Sequence, residues 1–224
     1  MKQFFFLLLA LPFSPVFGQK QTKPEGRRLQ LGIIASPEVS YRYLKNLGGG
    51  AQTDQYITNN NKSERKKFGY AAGVSLCFQL NDYIGLEGGL QYANKGYQYK
   101  GYNYVTAINY QYLDIPAKVN FTFGQHKLRF IASAGLTTHI ILAGKISDVQ
   151  GDSDTGKPVK LDLSYYLIPN LSASVSAGID YQINARSNFR VQPTFNHFLT
   201  KTARTQIGEY LWSAGMNFGY YFTF

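Results

Sequence analysis

Leu113-Asp114-Ile115-Pro116-Ala117-Lys118-Val119-Asn120-Phe121-Thr122-Phe123 settles the fold class. Leu113, Ile115, Ala117, Val119, Phe121 and Phe123 fall on one face of an extended chain, and Asp114, Pro116, Lys118, Asn120 and Thr122 on the other. Successive side chains of a strand point to opposite faces, so this period of two reads as a β-strand with one apolar face. The pattern returns outward from this run. Phe68, Tyr70, Ala72, Val74, Leu76, Phe78 and Leu80 alternate with Gly69, Ala71, Gly73, Ser75, Cys77 and Gln79. Leu171, Ala173, Val175, Ala177, Ile179, Tyr181 and Ile183 alternate with Ser172, Ser174, Ser176, Gly178, Asp180 and Gln182. The final stretch sets Tyr210, Trp212, Ala214, Met216, Phe218, Tyr220, Phe222 and Phe224 against Ser213, Gly215, Asn217, Gly219 and Thr223. Weaker alternation over 29–44, 83–97, 128–143 and 188–199 brings the count to eight strands.

Composition agrees. Aromatic residues make up 16% of the 224 residues, with 22 Gly, while charged residues are also only 16%. Tyr, Phe and Gly are poor helix formers and good strand and turn material, which excludes a helical bundle. The aromatic content excludes a disordered chain. A single Cys excludes a disulfide framework and a cysteine-based zinc site.

The connections alternate in length. Asn81-Asp82, Gly124-Gln125-His126-Lys127 and Asn184-Ala185-Arg186-Ser187 are tight polar turns, whereas 45–67, 98–108, 144–169 and 200–208 read as longer loops rich in Gly, Asn, Asp, Ser and Lys. Short turns at one end and long loops at the other mark an up-and-down transmembrane barrel, with the turns periplasmic and both termini on the turn side. A soluble lipocalin-like barrel carries the same period with its apolar face turned inward. Three features favour lipid outside. The polar face is rich in Gly, Ser and Ala, which suits a narrow interior. Tyr41, Tyr43, Phe68, Tyr70, Tyr92, Tyr110, Phe121, Phe123, Phe222 and Phe224 gather near strand ends, as in interfacial girdles. The strands run about 12–17 residues, enough to cross a bilayer at a tilt. The expected fold is an all-β, eight-stranded antiparallel transmembrane β-barrel over 29–224.

The N-terminus reads as an address. Met1-Lys2-Gln3 is a short basic start, Phe4 to Phe13 an apolar core too short to span a bilayer, and Val16-Phe17-Gly18 a cleavage site. Residues 1–18 are thus expected to be a cleaved signal peptide, and 19–28 a flexible N-terminal segment.

Inward-facing charges are nearly balanced: Glu38, Glu87, Asp114 and Asp180 against Arg42, Lys95, Lys118, Arg129 and Arg190. An eight-stranded barrel is just wide enough for side chains to fill, so these charges are expected to form a luminal ion-pair network, a plug, with a charge-filtered pore as the alternative. Sequential neighbours Glu87, Asp114, Lys118 and Arg129 are the expected local cluster. Lys45, Lys62, Arg65, Lys66 and Lys67 in the first loop, with Lys201 and Arg204 in the last, are expected to face anionic lipopolysaccharide. His139 is the one inward-facing candidate base and His197 lies outward near a loop end; neither has a Ser or acid at a spacing that fixes catalytic geometry. Cys77 reads as a small interior filler. Pro116, lacking a ladder donor, is expected to mark a bulge or bend. Asp148, Asp152 and Asp154 fall short of a twelve-residue calcium loop with its closing Glu.

Tyr112-Leu113-Asp114-Ile115-Pro116-Ala117-Lys118 resembles the "Y-[LI]-[ED]-[IV]-P" strand of the PorT-like outer-membrane β-barrel family of Bacteroidetes-type bacteria. Gly219-Tyr220-Tyr221-Phe222-Thr223-Phe224 resembles the aromatic ending that such barrels present to the assembly machinery, through Phe224. The resemblance implies an eight-stranded barrel in the outer membrane of a Gram-negative bacterium and implies little about activity. The expected protein is a monomeric, non-enzymatic barrel without cofactor or nucleic-acid partner, serving membrane integrity or surface interaction through its loops. A narrow porin, a PorT-type secretion accessory and a lipid A-modifying enzyme are the alternatives.

Overall fold

The computed structural model describes residues 29–100, 104–124, 126–150, 159–166, 169–202 and 206–224. The signal peptide and flexible segment expected over 1–28 lie outside these residues, as do Asp152, Asp154 and Arg204. Eight long strands form the wall: β1 (Leu29–Asn46), β2 (Glu64–Gln79), β3 (Ile84–Lys100), β4 (Tyr104–Phe123), β5 (Leu128–Gln150), β7 (Asn170–Asn184), β8 (Ser187–Phe198) and β9 (Ile207–Thr223). A two-residue strand, β6 (Val159–Lys160), adds to the upper end of β5. Neighbours run antiparallel in the order β4-β3-β2-β1-β9-β8-β7-β5, and β4 pairs with β5 to close the ring. At the seam, Ile33 faces Val74 on one side and Tyr220 on the other, and the Phe224 N–H donates to Leu29 O at 3.0 Å. Both ends of the wall therefore lie at the tight-turn end.

Burial decides which face holds the lipid. Ile33, Phe130 and Phe68 are 66%, 66% and 84% exposed, while Ser40, Ser172 and Ser213 are 0% exposed. The apolar stripe points out and the polar stripe in, the arrangement of a transmembrane barrel and the inverse of a soluble ligand carrier. No helix among the described residues is long and apolar enough to cross a membrane; the crossing is made by strands.

Two of the tight turns are closed by their own side chains. Asn81 Oδ1 accepts from the N–H groups of Tyr83 and Ile84 at 2.9 and 2.8 Å, and Asn184 Oδ1 accepts from Arg186 N–H at 2.8 Å. These Asx contacts imitate a backbone turn.

The loop end departs from expectation. The segment over 45–67 is not an open loop. β1 runs to Asn46, β2 starts at Glu64, and α1 (Ala51–Ser63) lies between them with no buried residue. Asp54 in its first turn and Lys62 in its last complement the helix dipole. The segment over 98–108 is mostly strand, because β3 continues to Lys100 and β4 begins at Tyr104. β5 continues to Gln150, so Asp148 is a strand residue. β3, β4 and β5 (17, 20 and 23 residues) thus rise as a wall above the shorter β8 (12 residues). Pro116 marks no register shift. Its pairing with β3 lapses while Gly88↔Ala117 and Gln91↔Asp114 keep one register; the shift in β4 falls at Gln111/Tyr112 instead.

Candidate functional site

The lumen is layered. At the turn end, Arg190 Nη1 on β8 lies 2.9 Å from Glu87 Oε2 on β3, and Asn120 Nδ2 donates to the same oxygen at 2.7 Å. Tyr221 Oη donates to Glu87 Oε1 at 3.3 Å, and its ring lies under the Arg190 guanidinium, 4.1 Å from centroid to Cζ. Asp180 joins this layer to the wall: it accepts from Arg129 and Asn188, and Arg190 Nε approaches it at 3.5 Å. Cys77, 0% exposed, accepts weakly from Asn120 Nδ2 at 3.6 Å. Lys118 stands opposite Glu87 in the β3–β4 register.

Above it lies a polar cavity of about 20 Å³, lined among others by Glu38, Lys95, Asp114, Lys118, Asn196 and Asn217. That volume accommodates one or two waters and no organic ligand. Glu38 Oε2 faces this interior without a side-chain partner.

The next layer is a relay. Lys95 Nζ donates to Asp114 Oδ2 at 2.7 Å, Asp114 Oδ1 meets His139 Nδ1 at 2.6 Å, and His139 Nε2 meets Ser172 Oγ at 2.8 Å. Four different strands place these groups: β3, β4, β5 and β7. Asp114 stands opposite His139, and His139 opposite Asn170, two residues from Ser172. Serine, imidazole and carboxylate are in the order of a nucleophile, base and orienting acid. Access is lacking. His139 and Ser172 are both 0% exposed, and the Phe198 ring stacks on the imidazole at 4.2 Å. In this arrangement Ser172 Oγ is enclosed, and the contacts tie β4, β5 and β7 together.

The mouth is roofed by tyrosines around Arg42. Its Nε donates to Glu64 Oε2 at 2.9 Å; its Nη1 donates to Glu209 Oε2 and to Tyr97 Oη, each at 2.6 Å; its Nη2 meets Glu64 Oε1 and Tyr99 Oη. Tyr110 Oη donates to Glu209 Oε1 at 3.1 Å, and Tyr166 packs edge-on against Tyr110 at 5.5 Å. Leu161 and Leu163 fold in against the same cluster.

The residues singled out from sequence divide accordingly. Glu38, Arg42, Glu87, Lys95, Asp114, Lys118, Arg129, Asp180 and Arg190 all lie in the lumen, but Glu87, Asp114, Lys118 and Arg129 are not one cluster. Glu87 pairs across the barrel with Arg190, Asp114 with Lys95 and His139, and Arg129 with Asp180. Of the cations assigned to the lipopolysaccharide side, Lys45, Lys62, Arg65 and Lys66 are exposed, but only Lys62 is outside the strands. Lys67 points inward and is buried; its ammonium donates to Asn94 Oδ1 at 2.7 Å. Lys67 shares the parity of the inward Ala71, Ser75 and Cys77 on the same strand. Lys201 is half-buried, three residues beyond the end of β8. Tyr110, read as a girdle residue, is luminal and 1% exposed. Glu64, Glu209 and Tyr221 are buried in the lumen beyond the residues expected there. Glu209 and Tyr221 continue the inward parity of β9, whereas Glu64 has the parity of the outward Phe68 and Tyr70 and is brought inside by the register shift between Lys66 and Tyr70. With Glu64, Glu209 and Lys67 added, the luminal carboxylates and cations match one for one.

A family described as outer membrane protein beta-barrel domain matches residues 17–224. Among curated proteins, none matches this chain. Among solved structures, Neisserial surface protein A is similar at 14% identity, covering 89% of this chain and all of its own, with a TM-score of 0.51. OprG from Pseudomonas aeruginosa is 11% identical, covering 89% and 96% of the two chains, TM-score 0.42. Ail, the attachment invasion locus protein of Yersinia pestis, is 12% identical, covering 85% and 98%, TM-score 0.37. At these identities the likeness to Neisserial surface protein A is one of fold.

Proposed function

The chain belongs to the outer membrane protein beta-barrel domain family, and from that premise we propose that it is a closed-lumen, non-enzymatic barrel whose work is done at its surface. It sits in the outer membrane of a Gram-negative bacterium. The observation that carries the reading is the Glu87–Arg190 bridge with the relay and tyrosine roof above it, which fill the lumen from turn end to mouth. A filled lumen offers neither a water column nor room for a ligand. What remains for recognition is the crown formed by α1, the raised β3–β5 wall and the exposed rim cations Lys45, Lys62 and Arg65, which face lipopolysaccharide. The Tyr112-Leu113-Asp114-Ile115-Pro116 run supports a place among PorT-like barrels within the family, and that place carries no activity with it.

The test is reconstitution in planar bilayers, joined to labelling on intact cells. The reading expects no steady conductance. It also expects that a Cys at Asn59 on α1, in a Cys77→Ser background, reacts with an impermeant thiol reagent while a Cys at His126 does not. A reproducible open pore, or labelling in the reverse sense, overturns it.

A further inference from the structure

Trp212, the one tryptophan of the chain, stands outward on β9 near the loop end. It is flanked in register by His197 on β8 and Tyr41 on β1. One strand further, on β2, Lys66 precedes Lys67, the partner of Ser40, and its ammonium reaches across Tyr41 to lie 5.4 Å from the Trp212 ring centroid. Tyr41 meets that ring edge-on at 6.2 Å. His197 and Lys66 are exposed; Trp212 and Tyr41 are half-buried. The four residues form a row across four neighbouring strands, roughly 14 Å wide at the usual strand spacing.

The row has a cation at one end, an imidazole at the other and two aromatic rings between. The outward faces of β8, β9, β1 and β2 carry Lys45, Arg65, Lys66 and His197 and no carboxylate. A lysine has no need of a tryptophan here, since water lies just above; holding it down over the ring presents its charge at headgroup depth. We propose that this row seats the headgroup of a phosphorylated glycolipid of the outer leaflet, a lipid A disaccharide. Lys66 takes one phosphate, the apolar face of a sugar lies on Trp212 and Tyr41, and His197 donates to the second phosphate. Ammonium and imidazole match the anionic ends, and the rings match the sugar between them.

The seat deepens the rim reading above, and the two are separable. Lipid A retained through purification by a Lys45→Gln/Lys62→Gln variant reports on the rim; the fluorescence of Trp212 reports on the seat. The chain is refolded into phosphatidylcholine vesicles, and diphosphorylated lipid A is titrated in. The expected result is a saturable change in Trp212 emission, with half-saturation shifted about tenfold by Lys66→Gln, the scale of one lost charge-assisted hydrogen bond. Lipid A lacking one phosphate should bind the wild type correspondingly less well, a comparison that does not depend on the variant folding. Phosphatidylglycerol at equal charge should give no saturable response. An equal response to phosphatidylglycerol, or the same half-saturation for lipid A with one phosphate and with two, overturns the seat.

Discussion

Arg190 on β8 and Glu87 on β3 meet at 2.9 Å although their strands lie four apart in either direction around the ring. They stand on opposite walls, so their contact closes the barrel at its full width. Side chains reach that far only because the interior of an eight-stranded barrel is narrow.

Removing one partner tests the closure. Arg190→Ala leaves Glu87 buried without its cross-lumen cation, at a cost of about 3–5 kcal/mol. Replacing both, as Glu87→Leu/Arg190→Met, should cost less than Arg190→Ala alone, because neither member of the pair is left buried without the other. Arg129→Ala should fall below Arg190→Ala, since Asp180 keeps Asn188 and Arg190. Equilibrium unfolding in vesicles measures all three. An Arg190→Ala barrel as stable as wild type contradicts the bridge.

Tyr221 is wedged between two glycines. A Cβ on Gly32 would stand 2.5 Å from its ring, and one on Gly219 would stand 2.6 Å from the ring's other edge. The ring cannot retreat, because Glu87 holds its hydroxyl and Arg190 covers its face. Gly32→Ala should therefore destabilise by about 1–3 kcal/mol through overpacking. Adding Tyr221→Leu should recover part of that loss. Thermal unfolding followed by gel mobility reads the difference; no loss in Gly32→Ala would mean that the ring is not held.

The lipid face makes an independent prediction. Val74 on β2 faces outward opposite Ile33, 47% exposed, midway between the Phe78 end and the Tyr70 end of its strand. Val74→Arg should cost about 2–4 kcal/mol in a bilayer, as a cation near the midplane does. In detergent micelles, where the side chain can reach water, the penalty should shrink. Equal stability of the variant and the wild type in vesicles would place Val74 away from lipid.

These tests also mark where sequence reading stopped. The wall was legible in runs such as Leu113–Phe123, because a strand with lipid on one side and charges on the other must alternate. The contents of the lumen were only half legible. Inward charges could be read from parity, but parity does not say which pair across the ring, so Glu87 was grouped with its neighbours rather than with Arg190. Residue type misled where aromatic residues serve two places: Tyr110 looks like a girdle tyrosine and is luminal. Irregularities hid others. The shift between Lys66 and Tyr70 turns Glu64 inward against the parity of the rest of β2, and nothing in the local composition announces it. The raised β3–β5 wall falls within the expected loops over 98–108 and 144–169, whose Gly, Asn, Asp and Tyr resemble turn material, whereas β3 continues to Lys100, β4 begins at Tyr104 and β5 continues to Gln150.

Asp114, His139 and Ser172 invite the opposite reading of the molecule, as a serine hydrolase, and permit a decisive check. Nucleophile and base are at 2.8 Å, a distance at which proton transfer is routine. Chemistry also needs a substrate within reach of Ser172 Oγ, and Phe198, Tyr112 and the surrounding strands enclose the group. A fluorophosphonate should therefore leave the folded barrel unlabelled, and Ser172→Ala should not alter the lipid A of the cells that carry it. The same contacts predict a structural penalty. His139→Ala strips Asp114 of one partner and opens a cavity beneath Phe198, so its unfolding midpoint should fall well below that of Ser172→Ala, which removes a single hydrogen bond worth about 1 kcal/mol. Stoichiometric fluorophosphonate labelling that disappears in Ser172→Ala would establish the hydrolase and reverse the non-enzymatic reading.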